Sequence, residues 1–259
     1  MSLEFQGSGS ASEILLDSDY TCVCDADGSA ISFWTYGMSN DNNEDGICGK
    51  PAGHYIYARD GSYFGFYDGA GYDEWVADSD FYQKWRHVVL NFWDDAGHKN
   101  ELFLDSVSQG QKAFVNDLLF NSIGRAYAGS AMDFLGKIMQ FACFTKKLAQ
   151  AQVDLLYCGG ILSPMAPLLL PDLDLFFPMM HVTEGVALTG AAADSSGQGR
   201  NGTYNANPVG RAEAQISLGA GPMMVITPAA AAGGLPLGAL AEQAELHYLD
   251  HEYAETFGR

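Results

Sequence analysis

The chain has 259 residues, 47% of them apolar and 17% charged, which is enough to bury a sizeable core and too apolar for a disordered chain. Thirteen basic residues stand against 32 acidic ones, a formal charge of −19 that repels a phosphate backbone, and no basic cluster is interleaved with aromatics. Nucleic acid is therefore not an expected partner, and 30 glycines point to turns and strands rather than exposed helices.

The opening MSLEFQGSGS has neither a basic start nor an apolar run, so no ordinary secretory signal is expected. Cys22 and Cys24 lie two apart on an expected strand. With Cys48, Cys143 and Cys158 they show no paired zinc-ligand spacing and read as mostly buried thiols. Residues 30–36 read as a strand. The loop of residues 40–46 is dense in oxygen donors, and Asp41, Asn43 and Asp45 are its candidate calcium ligands. It lacks full EF-hand spacing, and a solvated turn is the plainer reading.

Residues 55–58 and 63–67 flank Asp60-Gly61, a pair that tolerates positive φ, and are expected to form a hairpin. Val88, Leu90 and Phe92 alternate with His87, Asn91 and Trp93. Residues 94–100 then turn the chain, and Leu102 and Leu104 resume the alternation in a second hairpin. Within residues 137–144, Ile138, Ala142 and Phe144 fall on one face and Met139, Phe141 and Cys143 on the other, the two-sided pattern of a central strand. Residues 148–157 read as a short helix ended by Gly159-Gly160.

The apolar stretch 161–180 is broken by Pro164, Pro167, Pro171 and Pro178 and carries Asp172 and Asp174, so a linker is expected there and not a membrane span. Residues 172–224 return to strand-and-turn material, and residues 228–238 are Ala- and Gly-rich and low in complexity. Residues 240–253 are compatible with a helix carrying His247 and His251 on one side.

Read in order, several pieces of the first half resemble concanavalin A-like lectin/glucanase and laminin G-like domains. They are Leu3-Glu4-Phe5-Gln6-Gly7-Ser8, Ile31-Ser32-Phe33-Trp34, Trp85-Arg86-His87-Val88, Glu101-Leu102-Phe103-Leu104-Asp105, Gly136-Lys137-Ile138 and a closing helix with Leu148, Val153, Leu156 and Tyr157. The closing helix matches in part, with Gln152 in place of the family's Glu. The expected architecture is all-β, an antiparallel two-sheet jelly-roll sandwich over residues 1–160. A proline-rich linker (161–171) and a β-rich C-terminal extension (172–259) follow it.

In that extension, Asp174-Leu175-Phe176-Phe177-Pro178-Met179, Glu184-Gly185 and Asp194-Ser195-Ser196-Gly197-Gln198-Gly199-Arg200-Asn201-Gly202-Thr203-Tyr204 are similar to the segment that normally precedes the opening strand of such domains. Here the element comes after the domain. Residues 172–225 are therefore expected to supply a missing sheet edge, in cis or in a neighbouring subunit, with an independently packed β appendage as the alternative. Phe176, Phe177, Asp194, Arg200, Asn201 and Tyr204 are the candidate assembly residues.

The family's glucanases carry E-x-D-x-E on one strand, and this chain has no such triplet. Glu101 and Asp105 are four apart, but Asp105 matches the family's turn aspartate, so no catalytic pair is assigned and no enzyme is expected. The six histidines form no HExxH cluster, and Gly197-Gln198-Gly199 has no strand-to-helix context, so no cofactor is expected beyond the calcium candidate. Trp34 and Trp85 are expected in the core, with Trp75, Trp93 and Tyr72 exposed as sugar-stacking platforms.

The resemblance to laminin G-like domains of bacteriophage virion proteins implies a non-enzymatic structural or adhesive surface protein, a head decoration or a tail- or fibre-associated part. Such a protein is expected on the virion surface after assembly in the host cytoplasm. It would self-associate as a homo-oligomer and contact other virion proteins such as the capsid. A soluble glycan-binding lectin module is the alternative and a glycoside hydrolase the third reading.

Overall fold

The computed structural model describes residues 2–6, 12–37, 44–50, 54–59, 63–68, 71–76, 84–95, 97, 99–113, 117–126, 132–158, 166–179, 185–205 and 208–211. The strands of the first half are β1 (Ser2–Gln6), β2 (Glu13–Cys22), β3 (Ser29–Gly37), β4 (Glu44–Lys50), β5 (His54–Arg59), β6 (Tyr63–Asp68), β7 (Tyr72–Val76) and β8 (Arg86–Trp93). Then come β9 (Lys99–Leu104), β10 (Val107–Ala113), β11 (Leu118–Ile123) and β12 (Leu135–Phe144), followed by the helix α1 (Gln150–Tyr157). After a 3₁₀ turn (Pro167–Leu169), β13 (Leu173–Phe177), β14 (Gly190–Ala192), β15 (Gly202–Asn205) and β16 (Val209–Arg211) complete the series. The expected helix at 240–253 and the low-complexity stretch 228–238 lie outside the described residues.

Among the described residues, two eight-stranded antiparallel sheets form a jelly-roll sandwich. One runs β10-β9-β8-β3-β12-β1-β16, with β13 also paired to β12, and the other runs β14-β15-β2-β11-β4-β5-β6-β7. Strand periodicity of two sends Ile31 and Phe33 of β3, Val88 and Leu90 of β8, and Ile56, Phe64 and Phe66 of the opposing sheet into one shared core. Phe33 stacks on Phe141 at 5.7 Å and Phe66 meets Phe92 edge-on at 5.6 Å, geometries that aromatic quadrupoles favour. Each such side chain stabilises the fold by about 1.5–3 kcal/mol through burial. Trp34 and Trp85 are buried, as expected.

β12 departs from simple alternation. Its pairing with β3 slips between Met139 and Ala142, and Gln140 takes a positive φ of 53° there. The extra residue reverses the parity, so Ile138, Phe141 and Cys143 share the central core while Ala142 and Phe144 pack outside it under α1. The expected grouping of Ile138 with Ala142 and Phe144 is corrected by that bulge.

The same bulge divides one edge of β12 between two partners: β1 pairs residues 135–138 and β13 pairs residues 141–144. At the junction the Gln140 amide donates to the Pro178 carbonyl at 3.1 Å. Sheet membership thus runs on past residue 160. β13 and β16 join the first sheet, and β14 and β15 join the second beside β2.

Candidate functional site

The outward surface of β5, β6 and β7 is lined with tyrosine. Ile56, Ala58, Phe64, Phe66 and Trp75 point into the core, and the alternate positions send Tyr55, Tyr57 and Tyr67 outward to pack with Ala126 and Met132. A phenol needs a polar partner for its hydroxyl, so tyrosine takes the wet parity and phenylalanine the dry one. Register sets Gly49, Tyr55, Tyr67 and Tyr72 in one row across four strands. Ring centroids along that row are 5.3 Å (Tyr55 to Tyr67) and 4.7 Å (Tyr67 to Tyr72) apart, and the Tyr55 and Tyr72 hydroxyls lie within 3.3 Å.

The next row holds Gly46, Tyr57, Gly65 and Glu74. A Cβ on Gly65 would stand 2.9 Å from the tip of the Tyr57 ring, so glycine there lets Tyr57 lie across β6 and donate to Glu74 Oε1 at 2.6 Å. Glu74 also holds the Arg59 guanidinium, with Nη2 at 2.9 Å from Oε1 and 3.0 Å from Oε2, and that guanidinium sits 5.0 Å over the Tyr63 ring. Tyr57 and Tyr55 are buried, Tyr67 is half-buried and Tyr72 is 55% exposed, so the face grades from a closed floor at β5 to an open rim at β7. Of these rings Tyr67 and Tyr72 keep surface in the open, and beside phenol hydroxyls and a carboxylate they can stack on the C–H face of a sugar and accept its hydroxyl protons.

Tyr72 stands in the open where the sequence placed it. The two tryptophans do not. Trp75 is 3% exposed, on the inward parity of β7, with Nε1 donating to the Gly110 carbonyl at 3.0 Å. Trp93 is 4% exposed at the end of β8, with Lys147 Nζ 4.7 Å over its ring. Neither can serve as a stacking platform. Tyr55, Tyr57, Tyr67 and Glu74 were missed, although the separation of Tyr and Phe by parity in residues 55–58 and 63–67 was a readable signal.

Of the calcium candidates, Asp41 and Asn43 lie outside the described residues. Asp45 belongs to β4 instead of a solvated loop, paired with Ala58 and 4% exposed. Among the described residues no group of three or more His, Cys, Asp or Glu side chains is placed to hold a metal. Asp105 and Ser106 form the tight β9–β10 turn, both at positive φ, and the Asp105 carboxylate accepts from Arg86 and from the His87 amide. Glu101 accepts from Ser108 on the neighbouring strand.

The candidate assembly residues fasten the C-terminal segment to the chain's own sandwich. Phe176 and Phe177 are buried, one under α1 and the other in the central core. Asp194 Oδ1 accepts from the amides of Phe176 and Ser196, both at 2.9 Å, and Oδ2 accepts from the Ser196 hydroxyl at 2.7 Å and the Arg200 amide at 3.0 Å. Partial burial pushes this carboxyl's pKa up, but the donors outweigh it and hold it below the ordinary 3.8. Asn201 Oδ1 accepts from the Asp194 amide, and Arg200 bridges to Asp174 at 2.9 Å while lying 5.2 Å over the Tyr20 ring. Tyr204, half-buried on β15, packs against the central core. Two further clamps fix the outer strands: Asn205 donates to Glu13 at 2.9 Å, and Arg211 forks onto Glu4 with two bonds of 2.8 Å.

No family model and no curated protein matches the sequence. Among solved structures, the chain is similar to a Bacteroides ovatus protein provisionally described as carbohydrate-binding. The TM-score is 0.53 at 12% identity, over 79% of this chain and 58% of that one. A heptameric pentraxin from Limulus polyphemus has a TM-score of 0.45 at 10% identity, over 60% of this chain and 81% of that one. Domain 4 of a Geobacillus stearothermophilus GH43 arabinanase, solved with arabinotriose, has 0.38 at 15%, over 51% of this chain and 68% of that one. The first likeness establishes the fold, a jelly-roll β-sandwich, and the chain spans a little over half of that protein's length. No helix among the described residues is long and apolar enough to cross a membrane.

Proposed function

We propose that the protein is a non-enzymatic, lectin-like adhesive domain that binds glycan on the tyrosine face of β5–β7. The observation that carries this reading is the cross-strand pair Tyr67 and Tyr72, backed by the buried Tyr55 and open to solvent at the β7 rim beside Glu74. Sharing a fold with a protein described as carbohydrate-binding is in line with it. A role without catalysis is favoured because Asp105 is engaged by Arg86 and His87 in a turn and Glu101 by Ser108, which leaves neither poised to attack a glycosidic bond. Tyr72→Ala is expected to abolish glycan binding on an array and in calorimetry while the chain stays folded with only a small drop in unfolding temperature, because Tyr72 is 55% exposed. Undiminished binding by that variant would refute the site.

The resemblance of residues 194–204 to the element of bacteriophage laminin G-like domains supports placing this adhesive domain on a virion surface, assembled in the host cytoplasm beside capsid or tail proteins. With β13 to β16 used in cis, self-association would fall to the terminal strands β7, β10, β14 and β16. Sedimentation of the intact chain tests this, with an oligomer expected and a concentration-independent monomer counting against it.

A further inference from the structure

We infer that the glycan taken by the tyrosine face is neutral, with no carboxylate, sulfate or phosphate. The inference rests on the reading of that face given above and narrows it by charge. Among the described outward positions of β5, β6 and β7, the cation is Arg59, and it is already committed. Its Nη2 lies 2.9 and 3.0 Å from the two oxygens of Glu74, and its guanidinium plane is held against Tyr63. The Tyr57 hydroxyl donates to the same carboxylate, so the pair is fixed from below by a buried ring that Gly65 allows to lie flat.

An anionic sugar needs an uncommitted, charge-assisted donor, and here it would have to displace Glu74 from a partly buried ion pair. It would also approach a chain of formal charge −19. A neutral sugar meets neither obstacle. Its C–H face can lie on Tyr67 and Tyr72, and its hydroxyls can pair with phenol oxygens and with lone pairs of Glu74 left over from Arg59 and Tyr57. Aromatic area with a locally compensated charge pair thus selects for hydroxyl-rich, uncharged ligands.

The test is binding of the full chain to neutral oligosaccharides and to uronate-containing, sialylated and sulfated ones, at low and at physiological ionic strength. Neutral ligands are expected to bind at least about tenfold tighter than acidic ones, with the gap narrowing as salt rises. Tyr72→Ala should lose the neutral ligands. Glu74→Gln, checked for unchanged thermal unfolding, should gain affinity for acidic ligands because it removes the negative charge beside Arg59 and leaves that guanidinium's charge uncompensated by Glu74. Acidic glycans that bind wild type as tightly as neutral ones and are lost in Tyr72→Ala would overturn the charge assignment while leaving the tyrosine face in place. A folded Glu74→Gln that gains no acidic ligand would also overturn it. Binding to no glycan, or binding indifferent to Tyr72→Ala, would overturn the tyrosine-face reading itself.

Discussion

His87 shows how a single buried group ties stability to pH. It is 2% exposed on β8, its Nε2 is 3.0 Å from Ser32 Oγ, and the Trp34 ring packs 5.1 Å away. Burial lowers its pKa from the ordinary 6.5 to about 3. Between those values the unfolded chain binds a proton that the folded chain does not, so stability is full above 6.5 and falls as pH drops towards 3, by on the order of a few kcal/mol. Urea midpoints measured across that window should decline, and His87→Gln, which keeps a donor for Ser32, should flatten the decline. An equally steep slope in the variant would assign the acid loss to other groups. At the floor of the tyrosine face, Gly65→Ala should push the Tyr57 ring off Glu74 and destabilise the protein by about 1–3 kcal/mol by overpacking, with reduced glycan binding alongside. At this scale parity was readable in residues 63–67, where Tyr and Phe alternate, but not in β7. Trp75 and Tyr72 sit three residues apart on one strand, and only the pairing with β6 decides that Tyr72 faces out and Trp75 in.

At the scale of elements, the turn from Asp194 to Asn201 works as a fastener. One carboxylate collects four donors from three residues and joins β13 to the start of β15. Asp194→Ala strands those donors and should cost about 1–3 kcal/mol, seen as faster amide exchange in β14 and β15 with β3 and β8 unchanged. Because the Asp194 pKa is held below its ordinary 3.8, its contribution is present above that value and lost as pH falls through the lower, folded-state pKa. Exchange in β14–β15 should therefore quicken in acid before the central strands respond. The residue string of this element and its likeness to an edge segment are legible in the sequence, but its partner is not, because Tyr20 and Asp174 lie 154 residues apart. The Gln140 bulge was illegible for a related reason. Periodicity counts residues evenly, and a bulge is the place where the count breaks.

At the scale of the whole molecule, β13, β14, β15 and β16 act as structural members of both sheets. Leu175, Phe176 and Phe177 are buried and stabilise the fold by about 1.5–3 kcal/mol each, together comparable to the stability of a typical domain. A chain ending at Gly160 would also bare the edges of β2, β1 and half of β12. It is expected to aggregate or exchange strands on size-exclusion chromatography, and a stable, unchanged monomer would contradict that. The two-sheet class was readable from alternating runs and turn dipeptides because those signals are local. The sharing of β12's edge was not, since it depends on β1 and β13, two strands far apart in sequence. Ser2 pairs with Arg211, which places the end of β16 against the start of β1. That neighbourhood has a consequence for chain order: the strands can be joined there and opened elsewhere. A circular permutant running from residue 166 to 211, then through a short linker into residues 2–158, should trace the same two sheets and unfold cooperatively. It would also put the Asp194 turn back ahead of the opening strand.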